Sequence, residues 1–89
     1  MEKIEEANDK YIIISKDNCT YCEMVYELLN DKFIDYKVIK VETLTDDELK
    51  EIRPKEAKKY PFVFEDKKYI GSYSELKKIL NNKIHNGKL

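Results

Sequence analysis

The chain has 89 residues, 42% of them hydrophobic and 39% charged, and its 17 basic and 18 acidic side chains leave a net charge of −1. That length suits a single domain over residues 1–89 with one modest core. The near-neutral balance argues against a nucleic-acid partner, and the longest apolar run, Tyr11 to Ile14, is far short of the ~20 residues of a membrane span.

Met1 to Lys10 has no apolar core of the kind a secretory signal needs and is too acidic for a transit segment. The expected setting is therefore a reducing, cytoplasmic one, in which paired cysteines are more often catalytic than structural. Ile4 and Ala7 allow one weak helical turn in this segment, which reads equally as frayed. Tyr11 to Ser15 is short, β-branched and apolar on both faces, the pattern of a strand buried in mid-sheet.

Both cysteines lie in the next stretch, Lys16-Asp17-Asn18-Cys19-Thr20-Tyr21-Cys22. Beyond it Val25, Leu28 and Leu29 share one side of a 3.6-residue period, with Glu23, Glu27 and Asn30 mostly opposite, so a helix is expected to about Asp31 or Lys32. Cys19 then falls in or just before the first turn, where unpaired backbone N–H groups favour the thiolate. A helix end contributes roughly 0.3–1 kcal/mol to a nearby charge, against about 1.4 kcal/mol per pKa unit. Hydrogen bonds from the Tyr21 and Cys22 N–H groups and the charge of Lys16 are the candidates for the remainder. Cys22, a turn further in, is placed to resolve. The rival readings are a structural disulfide, two inert buried thiols, and a zinc half-site with His85, which otherwise reads as an exposed surface residue.

A second, less buried strand is expected over Tyr36 to Glu42, interrupted by Lys37 and Lys40. Thr45-Asp46-Asp47-Glu48 has the form of a capping box. It opens a second helix with Leu49 and Ile52 as its apolar face, which Pro54 kinks, ends or restarts. Lys55 to Lys59 is locally basic, either a solvated helix face or a docking surface for a carboxylate-bearing substrate. Tyr60 to Phe64 opens a third strand with Pro61 near its start. Glu65-Asp66-Lys67 turns the chain into a fourth strand, Lys68 to Ile70. Leu76, Ile79, Leu80 and Ile84 form the stripe of a third helix, capped by Ser74 or by Ser72 through Ser72-x-x-Glu75.

The order β-α-β-α-β-β-α implies a four-stranded mixed sheet, with the first two strands parallel, a hairpin adding antiparallel ones, and about three flanking helices. These features together resemble the glutaredoxin family of the thioredoxin-like fold. Lys16 stands three residues before Cys19 as in K-x-x-C, and Cys19-Thr20-Tyr21-Cys22 is similar to C-P-Y-C. Tyr60-Pro61-Phe62-Val63-Phe64 is similar to T-V-P-x-V-F, and Ile70 to Leu76 to I-G-G-x-x-D-L.

The resemblance implies a glutathione-dependent thiol–disulfide oxidoreductase acting in electron transport and cell redox homeostasis. It would be a monomer that reduces protein disulfides and glutathione mixed disulfides, with no metal. Cys19 would attack and Cys22 resolve. Glutathione would lie along the backbone of Tyr60 and a cis Pro61, its γ-glutamyl carboxylate at Tyr73 and Ser74 and its glycyl carboxylate at Lys16 and Tyr21, with Arg53 or Lys59 as further candidates. Thr20, Tyr60, Ser72 and Ser74 depart from the family pattern. Thr20 in place of proline motivates an alternative, an iron–sulfur cluster held between two monomers by Cys19 and two glutathione thiols. A third reading is a thioredoxin-like electron donor reduced by a flavoprotein.

Overall fold

The computed structural model describes residues 9–88, the last seven of these as helix backbone only. A weak turn at Ile4 and Ala7, and the side chains of Ile84 and His85, therefore lie outside the described residues. Four strands, β1 (Tyr11–Ser15), β2 (Tyr36–Lys40), β3 (Phe62–Glu65) and β4 (Lys68–Gly71), alternate with helices α1 (Thr20–Asp31), α2 (Asp46–Ile52) and α3 (Tyr73–Lys88). They form one mixed sheet of order β2-β1-β3-β4. β1 runs parallel to β2, with Ile13 opposite Val38, and antiparallel to β3, with Ile12 opposite Phe64.

β1 is central because all five of its residues can be buried, and all five are. Its pleat divides them between two layers. Ile12 and Ile14 join Ile39, Phe62, Phe64, Ile52 and Ala57 under α2. Tyr11 and Ile13 join Val63, Val25, Leu29, Leu76 and Leu80 under α1 and α3. Helices thus cover both faces, as the β-α-β-α-β-β-α order predicts.

α1 stops where its sequence allows a complete C-terminal cap. Phe33 N–H donates to Asn30 O at 3.0 Å and Ile34 N–H to Leu29 O at 3.0 Å, the two bonds of a Schellman motif. Phe33 adopts φ +58 there, a conformation usually left to glycine, and its ring is 95% exposed. β4 follows a two-residue turn in which Asp66 and Lys67 both have positive φ, the twist that suits a tight hairpin.

Some boundaries differ from expectation, among them the end of β4 at Gly71 one residue past Ile70, and the choices left open at Pro54 and at the start of α3 are resolved. β2 ends at Lys40, and Val41–Thr43 is a 3-10 turn, because the Thr43 hydroxyl donates to Lys40 O at 2.6 Å and folds the chain back. α2 ends at Ile52, so Pro54 terminates it, and Lys55 to Lys59 is turn and loop with Ala57 pointing into the core, not a helix face. β3 begins at Phe62 after the Tyr60–Pro61 peptide, not at Tyr60. At the start of α3 the choice falls on Ser72, whose carbonyl accepts the Leu76 N–H at 3.1 Å, while Ser74 is exposed in the first turn.

Candidate active site

The site lies at the strand-to-helix junction after β1. Asn18 takes φ +56, a left-handed conformation that asparagine tolerates better than most residues, and this turns the chain so that Cys19 becomes the N-cap of α1. The Cys19 carbonyl accepts the Glu23 N–H at 3.2 Å. Its sulfur accepts the Cys22 N–H at 3.2 Å, so of the two N–H groups expected to reach it, that of Cys22 does. Cys19 and Cys22 are joined in a disulfide with Cα atoms 5.2 Å apart. Cys22 is 1% exposed and Cys19 is partly open to solvent. An incoming thiolate therefore has access to Cys19 Sγ and not to Cys22.

The loop carrying Cys19 is tied to the end of β2. Lys40 Nζ sits 3.0 Å from Asp17 Oδ1, and the Asp17 N–H donates to Glu42 Oε2 at 2.9 Å. The hydrogen bond to Asp17 raises the Lys40 pKa above its ordinary value. Beneath the loop the buried Ser15 hydroxyl accepts from Tyr26 OH at 2.7 Å, and the Tyr26 ring stacks on Tyr36. Motif reading did not single out Asp17, Lys40, Glu42 or Tyr26, whose pairing spans up to 25 residues of sequence.

The remaining expected site residues surround this junction. The Tyr60–Pro61 peptide is cis, as the resemblance implies, and Pro61 is fully buried. The Tyr60 ring stacks on Phe62 with centroids 4.3 Å apart. Lys16 Nζ lies 5.4 Å from the Tyr60 centroid. Tyr21, 47% exposed, has its ring 6.1 Å from that of Tyr73 and 5.2 Å from Lys59 Nζ. Arg53 instead covers Phe62, 5.7 Å from its centroid. Lys77, 5.8 Å over Tyr73, was missed, although its place four residues along a helix from an aromatic is a readable signal.

α3 starts with half a capping box. Glu75 Oε1 accepts the Ser72 N–H at 2.8 Å, and this bond, followed by one from its own backbone and by the charges of Lys59 and Lys78, holds the Glu75 carboxyl below its usual pKa. The reciprocal bond is missing, since the buried Ser72 Oγ has no hydrogen-bond partner among the described residues. By contrast, Thr45 and Glu48 complete both halves at α2, at 3.1 and 2.9 Å. The first N–H groups of α3, at Tyr73 and Ser74, have no partner within the helix and make an anion-receptive end.

No group of three or more His, Cys, Asp or Glu side chains among the described residues converges as a metal site. A cluster needing four sulfur ligands would therefore take the rest from outside the chain. What the geometry does provide is an accessible sulfur at a helix N-terminus, a buried resolving sulfur one turn on, and a cis-proline strand beside them. Such an arrangement on a four-stranded mixed sheet defines a thiol–disulfide oxidoreductase of the thioredoxin-like fold.

The chain belongs to the glutaredoxin family, whose description it matches over residues 12–70. No curated protein sequence matches it significantly. Among solved structures, the holo form of glutaredoxin C1 from the poplar hybrid Populus tremula x tremuloides is 26% identical, covering 96% of this chain and 90% of its own, with a TM-score of 0.72. A wheat glutaredoxin is 27% identical over 91% of this chain and 81% of its own, at a TM-score of 0.68. A buckwheat glutaredoxin–glutathione complex shares the fold at 22% identity and a TM-score of 0.72, covering 84% and 71%.

Proposed function

We propose that the protein is a cytoplasmic, monomeric dithiol enzyme that uses glutathione to reduce protein disulfides and glutathione mixed disulfides. The observation that carries this reading is the asymmetry of the pair: Cys19 is the partly exposed N-cap of α1 and Cys22 is buried behind it. The reduced Cys19 thiolate attacks one substrate sulfur, forming a mixed disulfide and releasing the other sulfur as thiolate. Cys22 then loses its proton and attacks Cys19 Sγ, which expels the substrate thiolate and closes the Cys19–Cys22 disulfide.

One glutathione thiolate attacks Cys19 Sγ and frees Cys22. A second attacks the bound glutathione sulfur, giving glutathione disulfide and restoring Cys19. The tripeptide is assigned to the Tyr60–Pro61 backbone, its γ-glutamyl carboxylate to the Tyr73 and Ser74 N–H groups, and its glycyl carboxylate to Lys16 beside Tyr21. Support comes from the open N-terminal turn of α3, where the Ser72 hydroxyl has no partner among the described residues, and from the glutathione complex of the buckwheat protein.

The test is glutathione-dependent reduction of a small glutathione mixed disulfide by wild type, Cys19→Ser and Cys22→Ser. Activity is expected to vanish in Cys19→Ser and to persist in Cys22→Ser, where a second glutathione resolves the adduct. Full activity of Cys19→Ser would overturn the assignment. Inactivity of all three with glutathione, combined with turnover by a flavoprotein reductase, would move the function to a thioredoxin-like donor. A coloured, glutathione-dependent dimer after anaerobic iron and sulfide reconstitution would move it to the cluster reading.

A further inference from the structure

Two columns of stacked charge and aromatic ring meet at the active site. In the first, Arg53 covers Phe62, Phe62 stacks on Tyr60, and Lys16 covers Tyr60. In the second, Lys59 covers Tyr21, Tyr21 faces Tyr73, and Lys77 covers Tyr73. The adjacent residues Lys59 and Tyr60 contribute one side chain to each column. The first column reaches the loop three residues before Cys19, and the second rises from the α1 turn two residues after it. Lys16, Arg53, Lys59 and Lys77 are all exposed, and none is in a salt bridge among the described residues.

The nearby carboxylates offset this charge only in part. Asp17 is bound to Lys40. Glu75 is held by the Ser72 N–H, with Lys59 and Lys78 acting on it through space. Glu23 is the acidic residue of the first α1 turn. Four cations are thus held over rings, in two columns that each reach a residue within three positions of Cys19, in a protein whose net charge is −1. A cation over an aromatic face keeps its outer side free for a second, anionic partner, and the ring limits the conformations in which the long side chain waits for it.

We infer that this double column is a docking surface for protein substrates whose reactive cysteine lies in an acidic segment, and that Lys59 and Lys77 are specificity-determining residues. The inference deepens the proposed function by naming a substrate class. It rests on the thiol–disulfide chemistry of Cys19 and not on the use of glutathione. Complementary charge acts mainly on encounter and on partner choice, so its mark is a difference between substrates that weakens with salt.

The experiment uses the full chain with Cys19 and Cys22 reduced, and no glutathione. The probes are three peptides of one length whose single cysteine is a mixed disulfide with 2-thiopyridine and is flanked on both sides by Glu, by Gln or by Lys. Cys19 attacks the peptide sulfur and expels 2-thiopyridine, whose absorbance is followed, and Cys22 then releases the peptide thiol as the enzyme disulfide closes. At low salt the Glu peptide is expected to react at least about tenfold faster than the Gln peptide and the Lys peptide slower than either, with the preference largely lost at ~1 M salt, where the screening length is about 3 Å.

Lys59→Gln and Lys77→Gln are each expected to lower the Glu-to-Gln rate ratio severalfold, and Lys59→Arg and Lys77→Arg to keep it. Because each ratio is taken within one variant, a partly misfolded protein does not imitate the effect. Equal rates for the three peptides, or a ratio unmoved in both Gln variants, would overturn the inference. A protein that shows the preference here and yet ignores glutathione would fail the proposed function alone.

Discussion

Gly71→Ala should be among the most destabilising single-methyl additions in this chain. Gly71 has φ +126, and a Cβ there would stand 2.5 Å from Glu75 Cγ, 2.6 Å from its Cβ and 2.7 Å from its Oε1. The backbone conformation alone costs a non-glycine residue about 1–3 kcal/mol. The clash adds to this. Rotating Glu75 moves its Cγ and Oε1 away but not its Cβ, which is fixed to the α3 backbone, so the carboxylate must leave the Ser72 N–H and the helix start must also shift. Loss of that hydrogen bond accounts for about 0.5–1.5 kcal/mol, and the total is about 2–4 kcal/mol.

Urea denaturation of the oxidised protein measures it, as a lower midpoint at constant slope. Glu75→Ala provides the internal check. It removes the capping carboxylate at a cost of about 1 kcal/mol, and the double variant should cost less than the two singles added, because the lost cap is counted in both. A Gly71→Ala cost below about 0.5 kcal/mol, or strict additivity with Glu75→Ala, would refute the account, since either would mean that the backbone strain and the shared contact are not felt.

Phe33→Gly should stabilise the protein by about 0.5–1 kcal/mol in the same assay, because relief of about 1–2 kcal/mol at a left-handed position exceeds the entropy cost of glycine, and the 95% exposed ring gives up no burial. Glu75 has a depressed folded-state pKa, so its contribution is present above pH 4.5 and fades as pH falls through the lower folded value. Midpoints followed from neutral pH into that range should therefore drop less in Glu75→Gln than in wild type. Lys40 is the opposite case. Its pKa is raised by Asp17, so that contribution is complete below pH 10.5 and disappears as pH rises through the higher folded value, and Asp17→Asn should show a flatter alkaline limb than wild type.

Much of the architecture could be read from local pattern. The uninterrupted burial of Tyr11 to Ser15, the capping box of Thr45 and Glu48, and the strand-to-helix setting of Cys19 and Cys22 all appear where expected. Each depends on residues within one turn or one strand of each other. β2 stops two residues short of the expected Glu42, because Val41 and Glu42 continue an extended pattern and nothing local announces that Thr43 bonds back to Lys40. The basic run Lys55 to Lys59 has helical composition, yet Pro54 and the burial of Ala57 turn it into a loop that sends Lys59 to Tyr21.

At the site the division follows the same physics. Local residue order sets which chemistry is present: two sulfurs one helical turn apart, an N-cap position for the first, and a proline and a helix start further along that the fold can bring near. Sequence spacing alone leaves both Ser72 and Ser74 as caps and gives no partner for Lys16, Asp17 or Lys59. The packed fold alone makes Ser72 the α3 N-cap, with its hydroxyl unsatisfied among the described residues, holds Asp17 between Lys40 and Glu42, and sets four cations over four aromatic rings in two columns that reach the cysteine loop. Local propensities act over a few residues, whereas half of these contacts join residues 25 or more apart, and they exist only once both layers have closed on the sheet.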